Sequence, residues 1–406
     1  MTTTTVLDHP TTAAAYTPTT LVAALNAPKG FGDQTLRDRR ADAIELLGGI
    51  PDPSVLPAAE LAESAARVLA EPGLGALQYS RTAGLPGLRA WIAEREGVPV
   101  ERVLITNGGF HGLSLGVQLA VERGDLVAVD NPIFPLFLRG LELSAGRPLP
   151  VPVGAHGIDV DALAALLRSG ARPSALYMVP DFHNPSQGTL PIDERRELVA
   201  LAEHYGFVVL ADNPYRELRF RGEPVSAEPF NASSHVLHVN TFTKTLGPGL
   251  RLGWIVAPEH LVPDLVALRS RQDSHSSTLV QAIVGDLLES RPTLFDDTLD
   301  RARALYRERS DGFSAAIERE APGVFDITAP EGGLFLWPRI VDDGIDADRL
   351  ADDASAEGVE YQRGSFFPSG PGADADRRLR FAFGDTGVER LEEAAVRLGR
   401  AVRRQV

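Results

Sequence analysis

The chain has 406 residues, of which 44% are hydrophobic and 23% charged, and these proportions are ordinary for a globular protein. Its net charge of −15 argues against nucleic acid or an anionic membrane as the main partner. Cysteine is absent, so a disulfide framework and a cysteine metal site are excluded, and no metal site is expected.

The N-terminal part predicts an arm followed by a glycine-containing turn and a helix. Residues 1–35 are rich in Thr and Ala without a sustained period, so we expect an arm that is mobile or ordered only by a partner. Neither a signal peptide nor an apolar run of about 20 residues is present, which predicts a soluble cytoplasmic protein. The pair Gly48-Gly49 lets backbone approach a ligand closely. A helix is predicted over 57–71, and a loop containing Tyr79 follows.

Strands and helices then alternate. A strand over 103–106 runs into Asn107-Gly108-Gly109 and a helix over 110–122, a pattern typical of an anion site at a helix N-terminus. Further strands are predicted over 126–130, 148–153, 176–180 and 207–212, and helices from 132, over 160–167 and over 193–205. This alternation predicts an α/β domain with a mostly parallel sheet covered on both faces.

Ligands of such sheets bind beyond the carboxyl ends of the strands. The candidate residues at those ends are Gly108, Gly109, Asn184, Asp212, Tyr215 and Lys244. Helical segments continue to about residue 320, and strand-like pieces over 332–337 and 378–383 precede an amphipathic helix over 388–402. We interpret this C-terminal part as a second, α+β lobe.

Lysine usage singles out one position. The chain contains only two lysines, Lys29 and Lys244, and Lys244 follows an apolar run over 236–240. A desolvated lysine loses its proton and forms Schiff bases, whereas arginine stays charged. Arg251 with the hydroxyls of Thr241 and Thr243 suits a phosphate. The stretch 241–251 predicts a binding site for a phosphate-bearing aldehyde. The alternative is that Lys244 is a solvated loop lysine.

If that aldehyde is pyridoxal phosphate, other residues acquire roles. Asp212 fits the carboxylate that keeps the pyridine nitrogen protonated, or it caps a turn. Tyr215 and Asn184 fit the phenolic oxygen. Phe134 is suited to stack on the face of the pyridine ring, and the alternative is an ordinary core residue. Arg380 fits a substrate carboxylate, or the solvated face of its strand.

Several motifs together resemble a known family. The chain resembles the fold-type I pyridoxal-phosphate enzymes, specifically class I/II aminotransferases of the kynurenine/2-aminoadipate aminotransferase-like branch. The motifs extend from about 48 to 383 and are Gly-Gly-Ile-Pro-Asp-Pro, Leu-Gln-Tyr79-Ser, Ile-Thr-Asn-Gly108-Gly109, Asn131-Pro-Ile-Phe134, His183-Asn184-Pro-Ser-Gln-Gly188, Ala-Asp212-Asn-Pro-Tyr215, Thr241-Phe-Thr-Lys244 with Arg251, Gly332-Gly-Leu-Phe-Leu-Trp and Leu379-Arg380-Phe.

The resemblance implies a large domain with a mostly parallel seven-stranded sheet between helices and a smaller α+β domain. Its boundaries would be an arm over 1–35, a segment over 36–72 joining the small domain, a large domain over 73–285 and a small domain over 286–406. The implied activity is transfer of an amino group from an L-amino acid to a 2-oxo acid. The implied assembly is a homodimer in which Tyr79 reaches a phosphate across the interface.

The resemblance also implies roles for individual residues. Lys244 would carry the internal aldimine, Asp212 would pair with the pyridinium, and Asn184 and Tyr215 would contact the phenolic oxygen. The phosphate would be held by Thr241, Thr243, Arg251 and the backbone of Gly108 and Gly109, and Phe110 would also contact the cofactor. The substrate would be bound by Arg380, Asn184 and Gly49.

The sequence departs from the family pattern in the phosphate loop. Gly109-Phe110-His111 stands where this branch usually has Ser-Gln-Gln, and Thr replaces Ser at 241 and 243. One alternative is therefore a non-transaminating enzyme of the same fold, performing elimination, replacement, cyclisation or oxidation. Another is a DNA-binding regulator, which the absence of a helix-turn-helix pattern disfavours.

Overall fold

The computed structural model describes residues 17, 19–25, 42–73, 75–372 and 374–405. Within the predicted arm over 1–35, a short helix covers Thr20–Leu25. The rest of that arm, apart from residues 17 and 19, lies outside the described residues.

Helices and strands alternate through the first two thirds of the described chain, as predicted. The helices are α1 Thr20–Leu25, α2 Ala58–Ala70, α3 Pro86–Glu96, α4 Gly109–Ala120, α5 Pro135–Glu142, α6 Val160–Arg168, α7 Ile192–Tyr205, α8 Glu228–Ala232, α9 Val262–Gln272, α10 Thr278–Ser290, α11 Leu294–Glu320, α12 Ala347–Ala356 and α13 Val388–Arg403. The strands are β1 Ile44–Leu46, β2 Val103–Thr106, β3 Leu126–Asn131, β4 Arg147–Gly154, β5 Gly157–Ile158, β6 Ala175–Met178, β7 Val208–Asp212, β8 Val236–Thr241, β9 Gly253–Val256, β10 Phe325–Asp326, β11 Phe335–Leu336, β12 Arg339–Ile340, β13 Val359–Arg363 and β14 Leu379–Ala382.

The large sheet has the order β2-β9-β8-β7-β6-β3-β4-β5. Strands β8, β7, β6, β3 and β4 are parallel to their neighbours in that run, whereas β9 is antiparallel to both β2 and β8. The α/β class with a mostly parallel sheet is confirmed. The prediction of seven strands is corrected to eight, because Gly157–Ile158 turns back antiparallel on the end of β4. A two-residue strand is too short to give a recognisable alternating pattern.

Helix α4 lies unusually close to this sheet. Gly112 and Gly116 face the sheet, and a Cβ atom on them would stand 2.9 Å from Val239 and 2.6 Å from Leu210. Every residue of β6 and β8 is buried, as expected for strands covered on both faces. Close packing therefore holds the N-terminus of α4 beside the carboxyl ends of β7 and β8.

A second sheet has the order β1-β13-β14-β11. Its first strand comes from residues 44–46, far from the other strands in sequence, and pairs in parallel with β13. Helices α11 and α13 bury apolar residues such as Phe313 and Leu398 in the core that this sheet shares. Within the described part of the chain, no helix combines the length and the apolar character needed to span a membrane.

Candidate active site

A cavity of about 190 Å³ lies beyond the carboxyl ends of β6, β7 and β8, next to the start of α4. Ten of the residues predicted from sequence line it, namely Gly109, Phe110, Phe134, Asn184, Asp212, Tyr215, Thr241, Thr243, Lys244 and Arg251. Its other lining residues are Leu113, Leu136, Tyr177, Val179 and Pro214. The fold therefore brings together side chains that stand up to 142 positions apart, from Gly109 to Arg251.

Lys244 ends a single helical turn that follows β8. Thr241 caps this turn, because its Oγ1 accepts a hydrogen bond from the N–H of Thr243 at 3.1 Å. Lys244 Nζ donates to the carbonyl oxygen of Gly49 at 2.6 Å. Burial lowers the pKa of the Lys244 amine to about 8, although the neighbouring Asp212 opposes the shift. The lysine is thus a partly buried amine rather than a solvated loop side chain.

Asp212 stands at the end of β7 with its carboxyl group buried. Tyr177 Oη donates to Asp212 Oδ2 at 3.1 Å, and the ring of Tyr177 stacks on Phe137 with centroids 3.8 Å apart. Burial raises the pKa of Asp212 to about 7, against the lowering effects of Tyr177 and Lys244. Tyr177 was missed by the sequence analysis, because an aromatic residue inside an apolar strand gives no signal beyond core packing.

The turn before α4 has room for an anion. Gly108 adopts φ +83°, and a Cβ atom there would stand 2.8 Å from Arg251 Nη2. Arg251 Nη2 donates to the carbonyl oxygen of Asn107 at 3.4 Å. The hydroxyl oxygens of Thr241 and Thr243 lie 2.7 Å apart, and that of Thr241 also donates to the carbonyl oxygen of Leu252. The first residue of α4, Arg251 and the two threonines line the same cavity, and such a grouping of donors suits a phosphate.

Arg380 is buried on β14, so the solvated alternative for this residue is wrong. Its Nη1 donates to Asn184 Oδ1 at 2.8 Å, and its Nη2 donates to the carbonyl oxygen of Leu47. The guanidinium lies 4.4 Å from the ring centre of Phe335 and 5.1 Å from that of Phe367. Burial lowers its pKa to about 9. The desolvated charge therefore suits a carboxylate ligand.

Comparison with known proteins identifies the family. The family model for aminotransferase class I and II matches residues 48–398. The chain belongs to the class I and II aminotransferase family. It is an enzyme that moves the amino group of an amino acid to a 2-oxo acid, and its cofactor is pyridoxal phosphate.

Individual relatives cover most of this aminotransferase. A 2-aminoadipate transaminase from Thermus thermophilus is 36% identical over 371 residues, which are 90% of this chain and 91% of the relative. Aromatic-amino-acid aminotransferase 1 from Thermococcus litoralis is 30% identical and covers 90% of this chain and 89% of its own. The crystal structure of alpha-aminoadipate aminotransferase from Thermus thermophilus, complexed with N-(5'-phosphopyridoxyl)-L-leucine, aligns with a TM-score of 0.84 at 33% identity, covering 95% of this chain and 97% of that one.

The residues present in the aminotransferase fit pyridoxal phosphate. An aldehyde requires an amine that loses its proton readily, and Lys244 is such a group. A pyridinium requires a buried carboxylate, and Asp212 is one. A phosphate requires open space next to hydrogen-bond donors. Gly108 leaves such space beside Arg251, because a Cβ atom there would fill it.

Two predicted cofactor residues are not among those that line the cavity: Gly108, which directly precedes the lining residue Gly109, and Tyr79. Tyr79 is 92% exposed and lies on the loop after α2. Its ring meets the ring of His275 edge-on at 5.8 Å, and the N–H of Ser80 donates to His275 Nε2 at 3.4 Å. This loop therefore presents Tyr79 outward, with the ring held at one edge.

A larger cavity of about 930 Å³ lies elsewhere on the aminotransferase, around Glu96, Arg216 and Glu217. Its arginines other than Arg102 are paired with carboxylates, as in the bidentate contact of Arg216 with Glu96 at 2.7 and 3.2 Å, and Arg102 donates to backbone carbonyl oxygens. A cleft whose charges are already compensated lacks the free amine and carboxylate that this chemistry requires. Size alone is therefore a poor guide to the site here.

Proposed function

We propose that Lys244 is the residue through which this aminotransferase holds its cofactor and moves the substrate proton. The observation that carries the proposal is that the partly buried amine of Lys244 lines the cavity together with the buried carboxyl group of Asp212, and that both Asp212 and the buried Arg380 act on its charge. When bound, pyridoxal phosphate supplies an aldehyde that condenses with amines and a protonated ring that accepts an electron pair.

The amine of Lys244 would serve as acid and base. With a pKa of about 8, a useful fraction of the amine is neutral near pH 7, so Nζ can take the proton from the Cα of the amino acid and return it. Asp212 would hold the proton on the pyridine nitrogen, since its carboxylate is desolvated and oriented by Tyr177. We propose Tyr215 as a further catalytic residue, and its burial at the cavity wall supports this.

Other lining residues would orient the cofactor. The phosphate would be held by the Gly108-Gly109 turn, the N–H of Phe110, the hydroxyls of Thr241 and Thr243, and Arg251. Oδ1 of Asn184 accepts a hydrogen bond from Arg380. Its Nδ2 would donate to the phenolic oxygen of the cofactor, which Tyr215 would also contact. Phe134 would cover one face of the ring.

The substrate carboxylate would bind Arg380, with Asn184 and the backbone of Gly49 beside it. The contacts between Arg380 and Asn184 and between Lys244 and Gly49 support this placement. By their names, relatives act on 2-aminoadipate and on aromatic amino acids. We propose that the amino-group donor is an L-amino acid. The first donors to test are 2-aminoadipate and the aromatic amino acids.

We further propose a homodimer in which Tyr79 reaches the partner's phosphate site. The outward presentation of Tyr79 supports this assembly, together with the exposure of Leu77 on the same loop and Phe110 at the cavity. Sedimentation of the purified protein as a monomer would contradict it. Replacement of Tyr79 by Phe should weaken cofactor binding without changing the assembly, because only a hydroxyl is removed.

The domain division and cellular location are also proposals. We propose a large domain over 73–285 and a small domain over 286–406, with 36–72 joining the small domain; the pairing of β1 with β13 supports the last point. Limited proteolysis should cleave first near these boundaries. A cytoplasmic location is in keeping with a chain that contains no cysteine, and cell fractionation tests it.

The two lysines allow a matched test of the central role. Purified protein should show the visible absorption of a bound cofactor, Lys244→Ala should abolish it, and Lys29→Ala should leave it unchanged. An unchanged spectrum in Lys244→Ala would refute the assignment. Mixing with amino acids should convert the cofactor to its amine form, whereas release of ammonia, peroxide or a cyclised product with return of the aldehyde would favour a non-transaminating enzyme.

A further inference from the structure

His111 is the third residue of α4, and its side chain reaches back to the turn that precedes the helix. The N–H of Asn107 donates to His111 Nδ1 at 3.1 Å. Gly108 is the capping residue of the helix, but it has no side chain that could accept a hydrogen bond from the N–H groups of the first turn. The arrangement parallels a capping box, in which the third helical side chain accepts from backbone near the cap. His111 therefore holds the backbone immediately before the phosphate turn.

The other edge of the imidazole faces the end of α9. Its Nε2 lies 3.4 Å from Gln272 Oε1. The side chain of Asn107 donates to Asp273, and Asp273 in turn accepts from the buried Arg269 at 3.2 Å. Asn107 is thus held at its backbone by His111 and at its side chain by Asp273.

We propose that neutral His111 is a positioning residue for the cofactor phosphate. By fixing Asn107, it keeps Gly108 in the conformation that leaves room for Arg251 and directs the first N–H groups of α4 at the phosphate. This inference rests on the proposed placement of the phosphate at this turn. It assigns a purpose to the histidine that departs from the family pattern.

The protonation state of His111 decides whether it can act in this way. Nδ1 accepts the N–H of Asn107 only while the ring is neutral. Burial and Arg269 lower the pKa of His111, whereas Asp273, with Oδ2 3.9 Å from Nδ1, raises it. A protonated ring would donate to Asp273 and leave the Asn107 N–H without its acceptor. Arg251 lies beside Gly108 and donates to the carbonyl oxygen of Asn107. A bound phosphate would itself titrate, with a second pKa of about 6, so wild type is compared with a variant that has no titrating group at 111.

Two variants separate positioning from simple packing. His111→Asn places an oxygen near the position of Nδ1 without a titrating group, and His111→Leu keeps the bulk but removes the acceptor. Dissociation constants of pyridoxal phosphate and of pyridoxal, which lacks the phosphate, are measured for wild type and both variants from about pH 5.5 to 8. The Leu variant should bind pyridoxal phosphate about fivefold more weakly at pH 8, the size of one net hydrogen bond, and bind pyridoxal unchanged.

The Asn variant tests whether the acceptor atom is what matters. It should match wild type at pH 8, and because the pKa of His111 is lowered, the two should diverge only toward the acid end of the range, with wild type the weaker binder. Equal loss of both aldehydes in the Leu variant, or an Asn variant that binds pyridoxal phosphate as weakly as the Leu variant at pH 8, would overturn the role of His111 while leaving the proposed function intact. Failure of wild type to bind either aldehyde would overturn the proposed function as well.

Discussion

Lys244 Nζ and the carbonyl oxygen of Gly49 are joined by a hydrogen bond of 2.6 Å across 195 positions of sequence. Lys244 follows β8 of the large sheet, whereas Gly49 lies three residues after β1 of the smaller one. The reactive amine is therefore placed by both sheets, and the segment that reaches it is also the one proposed to bind substrate.

The pH dependence of cofactor capture should reflect the buried amine. Burial places the pKa of Lys244 at about 8 instead of 10.5, so the rate at which the apoenzyme captures pyridoxal should rise through about pH 8 as the amine becomes neutral. Asp212→Asn removes a neighbouring charge that raises this pKa, so the rise should move to lower pH. Stopped-flow absorbance measures both profiles. A midpoint near that of a free lysine would contradict the burial argument.

Removal of the Tyr177 hydroxyl should impair catalysis more than binding. Tyr177→Phe keeps the ring that stacks on Phe137 but deletes the hydrogen bond to Asp212 that lowers the carboxyl pKa. We expect kcat to fall about fivefold, which corresponds to ~1 kcal/mol for one net hydrogen bond, with KM little changed. Tyr361→Phe is the control, because that buried hydroxyl has no hydrogen-bond partner among the described residues. Equal effects of the two substitutions would refute the role of Tyr177.

Arg380→Lys should weaken substrate binding. Lysine keeps the charge but loses the planar fork that binds a carboxylate through two hydrogen bonds. The KM for the amino acid should rise about tenfold, equivalent to ~1.4 kcal/mol, while the cofactor spectrum stays as in wild type. Arg378→Lys, which lies just before the same strand and contacts backbone oxygens, serves as the control. Steady-state kinetics measure the KM of both variants. An unchanged KM in Arg380→Lys would contradict the proposal that Arg380 binds the substrate carboxylate.

Gly108→Ala should lower cofactor affinity for a reason specific to the phosphate turn. The added Cβ would stand 2.8 Å from Arg251 Nη2 and would occupy a backbone conformation with φ +83°. Gly124→Ala introduces a similar strain, at φ +89°, but meets no atom within 4 Å. Both variants should lose about 1 kcal/mol of unfolding free energy, and only Gly108→Ala should lose pyridoxal phosphate affinity. Calorimetry and cofactor titration separate the two effects, and equal affinities would argue against the cradle.

Sequence patterns alone determined the α/β class, the order of most strands and helices, and the family, because apolar periodicity and glycine turns are local properties of the chain. They also predicted that Asp212, Asn184 and Lys244 stand at strand ends, since parallel strands direct their carboxyl ends to one edge. Boundaries were less accurate: the helix expected from Pro132 begins at Pro135, where proline suits a first turn.

Only the tertiary structure decided the contacts between distant segments. The support of Asp212 by Tyr177, the contact of Lys244 with Gly49, the burial of Arg380 close to two aromatic rings and the eighth strand all depend on how segments pack. A strand residue carries no local mark of the side chain that it will meet on the next strand, and a two-residue strand has no period. Packing of the whole chain, rather than any local pattern, creates the low-dielectric cavity in which the Lys244 amine loses its proton so readily.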